Sequence, residues 1–296
     1  MHYPLALLTL LLISACQPAP NLPATAEAPA PNTLARVPDA WIAERVAATR
    51  AELEASETGQ LVWQAMEAHG GLERWYANGP LEFQFDYVPR GEGAQRRTVQ
   101  QVDQWSNRAR HQAIGNPTAE FGWDGKRAWV TAEDTAAFAY NTRFWSTTPY
   151  FFLAQPFVLT GEGTQLEALG TKLLAEKAYE AVKVTFAPGT GDAPDDYYIA
   201  YFDPITHRQE VIRYIVSYPG YFKKGEHLPE KLMTMHDFTT VDGIVLPTTY
   251  RTHWLAENEQ AGEYITDIAV SELKFRPTLA DSWFEVPDGS VILPEL

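Results

Sequence analysis

At 296 residues, 45% hydrophobic and 12% aromatic, the chain is rich enough in apolar side chains to build a packed core, which sets it apart from disordered chains. Its 38 Asp and Glu against 23 Lys and Arg give a formal charge of -15, which argues against nucleic acid as a partner, because phosphate contacts need a basic face, and disfavours lying flat on anionic lipid. The 9 Trp, 14 Tyr and 14 Phe favour strands over helices, and the negative charge is read as a means of staying soluble.

In chain order, Met1 to Ala15 carries an apolar run too short to span a bilayer and suited to the core of a signal peptide. It runs into Ile13-Ser14-Ala15-Cys16, which resembles the bacterial lipobox: a branched aliphatic, two small residues, then the cysteine that is lipidated and becomes the mature N-terminus. Cys16 is the single cysteine, so no internal disulfide can form, and it is the expected lipid anchor. Gln17 after it is compatible with delivery to the outer membrane, where the protein would face the periplasm. Residues 16–38 are Pro- and Ala-rich without apolar periodicity and read as an extended tether.

Asp39 is placed to cap a helix after Pro38, with Trp41, Ile42, Val46 and Leu53 at near-helical spacing, giving an N-terminal helix within residues 39–58. A second helix is expected from Gly59 to His69, stopped by Gly70-Gly71. The period then changes to two: Leu81, Phe83, Phe85 and Tyr87 share one face of a strand, and Glu82, Gln84 and Asp86 the other. Arg97 to Ala113 reads as one longer, more polar strand. Phe121 to Val130 reads as a hairpin about Asp124-Gly125. Thr142 to Gly161 breaks the strand rhythm with two prolines and reads as one or two short apolar helices that cover something.

Strands resume at Thr164 to Ala168 and at Tyr179 to Phe186. Asp195 to Tyr218 reads as two long strands joined by Asp203-Pro204-Ile205-Thr206, and its first strand is apolar on both faces, which predicts a central place and the floor of any cavity. Leu232 to Val241, Ile244 to Leu255 and Glu263 to Arg276 complete a meander of roughly ten strands.

Several of these pieces, in this order, resemble a group of bacterial envelope proteins related to the LolA/LolB-like lipoprotein carriers. They are Ala68-His69-Gly70-Gly71 with Trp75, the hairpin Trp123-Asp124-Gly125 to Trp129, Tyr201 to Thr206, Val241 to Pro247 and Phe284-Glu285-Val286-Pro287. The resemblance implies a mainly β (α+β) fold over residues 59–296, a curved antiparallel incomplete β-barrel with helices packed in its concave side. It also implies an apolar cavity of the kind that holds acyl chains in the better-known members.

No constellation in the sequence names a reaction. No two His stand at the helical spacing of a zinc enzyme, so neither metal nor cofactor is expected. His69 reads as a helix C-terminal residue rather than a catalyst. Asp195, Asp196 and Asp203 read as loop and turn carboxylates. The candidate cavity lining is aromatic: Phe83, Phe85, Tyr87, Trp105, Trp123, Trp129, Trp145, Phe151, Phe152, Tyr201 and Trp254, with Tyr150 beside them. The same rings could equally fill a core. The expected function is a membrane-anchored periplasmic binding protein for a lipid, acyl chain or other apolar ligand. The alternatives are an interaction lipoprotein with a self-filled core and, behind it, an envelope hydrolase.

Overall fold

A computed structural model describes residues 33–132 and 137–296, so the expected signal peptide, Cys16 and the tether up to residue 32 lie outside the described residues. Residues 33–35 are held against the C-terminal part of the chain. Leu34 bridges Ala280, the Asp281 amide donates to the Thr33 carbonyl at 2.8 Å, and Ala35 is fully buried.

Three helices follow: α1 (Asp39–Glu54), α2 (Glu57–Ala68) and α3 (Leu72–Ala77). Pro38 rather than Asp39 takes the N-cap of α1; Asp39 sits inside the first turn, where its charge meets the positive end of the helix dipole. The Ser56 hydroxyl caps α2 by accepting the Gly59 amide at 3.0 Å, which starts this helix earlier than the apolar spacing suggests. At its end Gly70 and Gly71 take φ of 113° and 88°, and their amides return to the Glu67 and Met66 carbonyls in a Schellman arrangement.

The strands are β1 (Leu81–Pro89), β2 (Arg96–Val102), β3 (Ala109–Ala113), β4 (Asn116–Trp123), β5 (Ala128–Thr131), β6 (Thr164–Leu174) and β7 (Lys177–Phe186). They continue as β8 (Tyr198–Phe202), β9 (Gln209–Tyr214), β10 (Lys231–Val241), β11 (Ile244–Leu255), β12 (Ala261–Phe275) and β13 (Val291–Ile292). Two short helices, α4 (Thr142–Trp145) and α5 (Thr148–Leu153), lie between β5 and β6. Among the described residues all 13 strands join one antiparallel sheet in the order β13-β5-β4-β3-β2-β1-β12-β11-β10-β9-β8-β7-β6. The two ends, β13 and β6, do not pair, so the sheet curls without closing into a barrel. Register shifts at Glu82/Gln84, Ala168/Gly170 and His253/Leu255 are bulges, which bend the strands that carry them.

The expected single strand from Arg97 to Ala113 is instead the β2–β3 hairpin. Its turn contains no Gly or Pro and is organised by the buried Asp103 carboxylate, which accepts the Ser106 amide at 2.9 Å and the Arg108 guanidinium at 2.6 Å. The β8 and β9 strands are shorter than expected, and Asp203 accepts the Ile205 and Thr206 amides, both at 2.8 Å, in the turn between them.

One core joins the inward face of the sheet to the helices: Phe83, Phe121, Val182, Ile212, Tyr250 and Ile268 pack with Val62, Met66, Trp75 and Leu153. The helices therefore lie in the concave side. Trp75 of α3 stacks on Phe157 at 4.5 Å and meets Phe275 edge-on at 6.0 Å. A second, smaller cluster of Tyr179, Ile199, Tyr201, Val211 and Leu232 occupies the outward face.

The end of α2 is bound to the sheet through His69. Its Nδ1–H donates to the Val245 carbonyl at 2.8 Å, its Nε2 accepts the Gln209 amide at 3.2 Å, and the Val245 amide donates back to the His69 carbonyl at 2.9 Å. Both ring nitrogens are used only if the ring is neutral, and burial pulls its pKa down to about 4. His111 on β3 is buried in the same way, with Nε2 2.8 Å from the Ser146 carbonyl, and burial lowers it to about 4 as well.

These two histidines make stability depend on pH in a defined sense. Both folded-state values lie below the ordinary 6.5, so below that pH the unfolded chain binds protons that the folded chain refuses. Their contribution is complete above about pH 6.5 and falls as the pH drops, by roughly 2 kcal/mol each at about pH 5. Urea midpoints are expected to fall over this interval, while the imidazole Cε1–H resonances of His69 and His111 stay unshifted. Titration of either ring with a midpoint near the ordinary value contradicts the assignment.

Candidate ligand-binding site

Between the curved sheet and the α4–α5 segment lies a cavity of about 770 Å³. None of the described residues of α1–α3 lines it. The segment that walls it is shaped locally. The Asn141 side chain caps α4 by accepting the Phe144 amide at 3.0 Å, and the Thr148 hydroxyl donates to the Phe144 carbonyl at the start of α5. At the rim, Arg143 clamps Asp192 of the β7–β8 loop through two parallel hydrogen bonds of 2.7 and 2.8 Å.

The walls are aromatic. Trp145 meets Phe85 and Tyr87 of β1 edge-on at 6.2 and 5.2 Å. Opposite, Phe151 lies 4.6 Å from Tyr198 of β8 and Phe152 5.1 Å from Tyr214 of β9, with Tyr198 and Tyr214 stacked on each other at 6.1 Å. Met233 and Ile268 add to the apolar lining.

Three charged groups interrupt this surface besides the Arg143–Asp192 pair. Arg96 on β2 extends across rings, its guanidinium 4.5 Å from the Trp145 centroid and 4.7 Å from that of Tyr87, and its buried Nε has no acceptor among the described residues. Lys231 on β10 stands 5.2 Å over Trp254 and 5.9 Å over Tyr214; burial, together with the Arg96 charge, pulls it down to about 8. Asp196 is buried, accepts the Ser217 amide at 2.6 Å and its hydroxyl at 2.7 Å, and is raised by burial above the ordinary carboxylate value. It is thus a fixed internal acceptor rather than a solvated loop carboxylate. Tyr198 beside it is raised well above the ordinary phenol value, again by burial first.

Of the aromatic residues expected to line a cavity, Phe85, Tyr87, Trp123, Trp145, Phe151 and Phe152 do so, as does Tyr150. The other five lie elsewhere. Phe83 shares the inward face of β1 but is fully covered in the helical core. Trp105 sits in the β2–β3 turn, half-buried against that core. Trp129 lies on the outward face over Gly122, where a Cβ would come within 2.7 Å of its ring, and takes the Arg110 guanidinium at 6.0 Å. Tyr201 is also outward: with Tyr198 and Ala200 facing in, the strand period turns Ile199 and Tyr201 to the other side. Trp254 stays behind Lys231 without reaching the lining. Tyr198, Tyr214, Arg96 and Lys231 escape a search for aromatic clusters. The first two are visible only once the phase of β8 and β9 is known, and isolated cations in strands look like solvent-facing residues.

The chain matches no family model and no curated protein sequence. It is similar to a crystal structure of a LolA superfamily protein from Nitrosomonas europaea, with 12% identity over 77% of this chain and 97% of that one at a TM-score of 0.47. It is similar also to a DUF1329 family protein from Desulfovibrio piger, with 13% identity over 77% of this chain and 97% of that one at a TM-score of 0.49. What the cavity can hold follows from its own residues.

Trp145 is the test of this wall. It is 4% exposed, and its removal as Trp145→Ala is expected to cost about 3 kcal/mol, the lower end for such a truncation, because one side of the ring already borders the cavity. The urea midpoint reads this directly. An unchanged midpoint contradicts the packing described.

Proposed function

We propose that this protein holds a lipid, an acyl chain or a similar apolar ligand in its half-barrel, and that it does so at the cell envelope. In this reading Cys16 carries the lipid anchor, and the half-barrel faces the periplasm from the outer membrane. The observation that carries the proposal is the cavity of about 770 Å³ with aromatic walls, enclosed between an unclosed sheet and two short helices. Its size lies within the range of about 300–1,000 Å³ typical of small-molecule sites. Apolar surface left unfilled loses both dispersion contacts and the gain of excluding water, and an acyl chain supplies both. A core filled by its own side chains would not leave this space.

The role is holding rather than turnover. Asp196 is engaged by Ser217, and Arg143 by Asp192, so these groups serve as structure.

Mass spectrometry of the full chain purified from its host membranes tests both parts. Under denaturing conditions the mass is expected to correspond to a chain that begins at an acylated Cys16. Under native conditions a further lipid is expected to travel with it, not exchanged for detergent. An unmodified Cys16 contradicts the anchor, and a native mass without lipid contradicts the holding role.

A further inference from the structure

We propose that the cavity selects an anionic acyl lipid, with the acid headgroup held between Arg96 and Lys231 and the chain against the wall of Phe85, Tyr198 and Tyr214. This rests on the ligand-holding role proposed above and adds the chemical class of the ligand. Both cations line the same cavity. Both are covered by rings: Arg96 by Trp145, Tyr87 and Tyr140, Lys231 by Trp254 and Tyr214. Among the described residues neither makes an ion pair, in a chain that carries 38 acidic residues against 23 basic ones. The two carboxylates of the cavity are already committed, Asp192 to Arg143 and Asp196 to Ser217.

Two like charges lining one cavity among aromatic rings are costly without an anion. Rings offset part of that cost, but they leave the buried Nε–H of Arg96 without a hydrogen-bond acceptor among the described residues. A carboxylate or phosphate between the two side chains would accept hydrogen bonds from both and remove their repulsion. The Arg fork suits either acid, and the Lys ammonium adds a point charge. An uncharged ligand of the same shape would leave both cations as they are. The net positive lining inside an acidic protein is therefore the discriminating feature.

The test is a fluorescence titration of the full chain with cis-parinaric acid and, separately, with its methyl ester. The acid is expected to bind about tenfold more tightly than the ester, a difference of about 1.4 kcal/mol. Arg96→Gln and Lys231→Gln are each expected to weaken the acid about tenfold while leaving the ester within about twofold, so the ester reports that the variants are folded. Arg96→Lys is expected to recover part of the preference. Displacement of the probe by palmitate identifies a carboxylate lipid as the source, and displacement by a palmitoyl lysophosphatidate identifies a phosphate lipid; either supports the proposal. Acid and ester bound alike, or weakened alike by the substitutions, overturn it and leave the ligand-holding role intact. Binding of neither overturns both.

Discussion

A single neutral imidazole fixes where the helices sit. His69 spends both ring nitrogens and its carbonyl on the backbone of β9 and β11, so the end of α2 is bound to the inside of the sheet through three hydrogen bonds. The close approach of chains at this point needs glycine: a Cβ on Gly70 would lie 2.2 Å from the Gly243 carbonyl oxygen, and both residues have positive φ. With α2 and α3 fixed there, Trp75 fills one part of the concave side, stacked on Phe157 and edge-on to Phe275. The remaining part is covered only by α4 and α5.

That division of labour explains why there is a cavity. A sheet that curls without closing presents more inward apolar surface than its helices can cover, and short helices of 4 and 6 residues bridge the space instead of filling it. The rim clamp between Arg143 and Asp192 holds that cover to the β7–β8 loop. Inside, aromatic rings provide the walls, and Arg96 and Lys231, which make no ion pair among the described residues, interrupt them. The geometry suits a ligand with a long apolar part and one acidic end.

Much of this was legible from residue patterns, and the rest for physical reasons was not. Period-two alternation from Leu81 to Tyr87, and the Asp-Gly and Asp-Pro turns, are local signals, and they appear in the structure where expected. The β2–β3 turn went unseen because Asp103 builds it with a carboxylate rather than with Gly or Pro. The start of α2 depended on a serine cap lying outside the apolar pattern. The side of β8 on which Tyr201 lies is hidden in the sequence because the strand is apolar on both faces, and composition alone cannot say which face is concave. Lys231 and Arg96 could not be recognised at all without tertiary structure, since what distinguishes them is the absence of a carboxylate partner among the described residues.

The most direct test of the central claim is a crystal structure of the protein grown with terminally brominated palmitate, with anomalous scattering to locate the bromine. The account predicts a bromine peak inside the cavity among Phe85, Phe152, Tyr198 and Tyr214, with the carboxylate within hydrogen-bonding distance of Arg96 and Lys231. Bromine found only on the outward face, or a cavity closed by its own side chains with no ligand density, would contradict it.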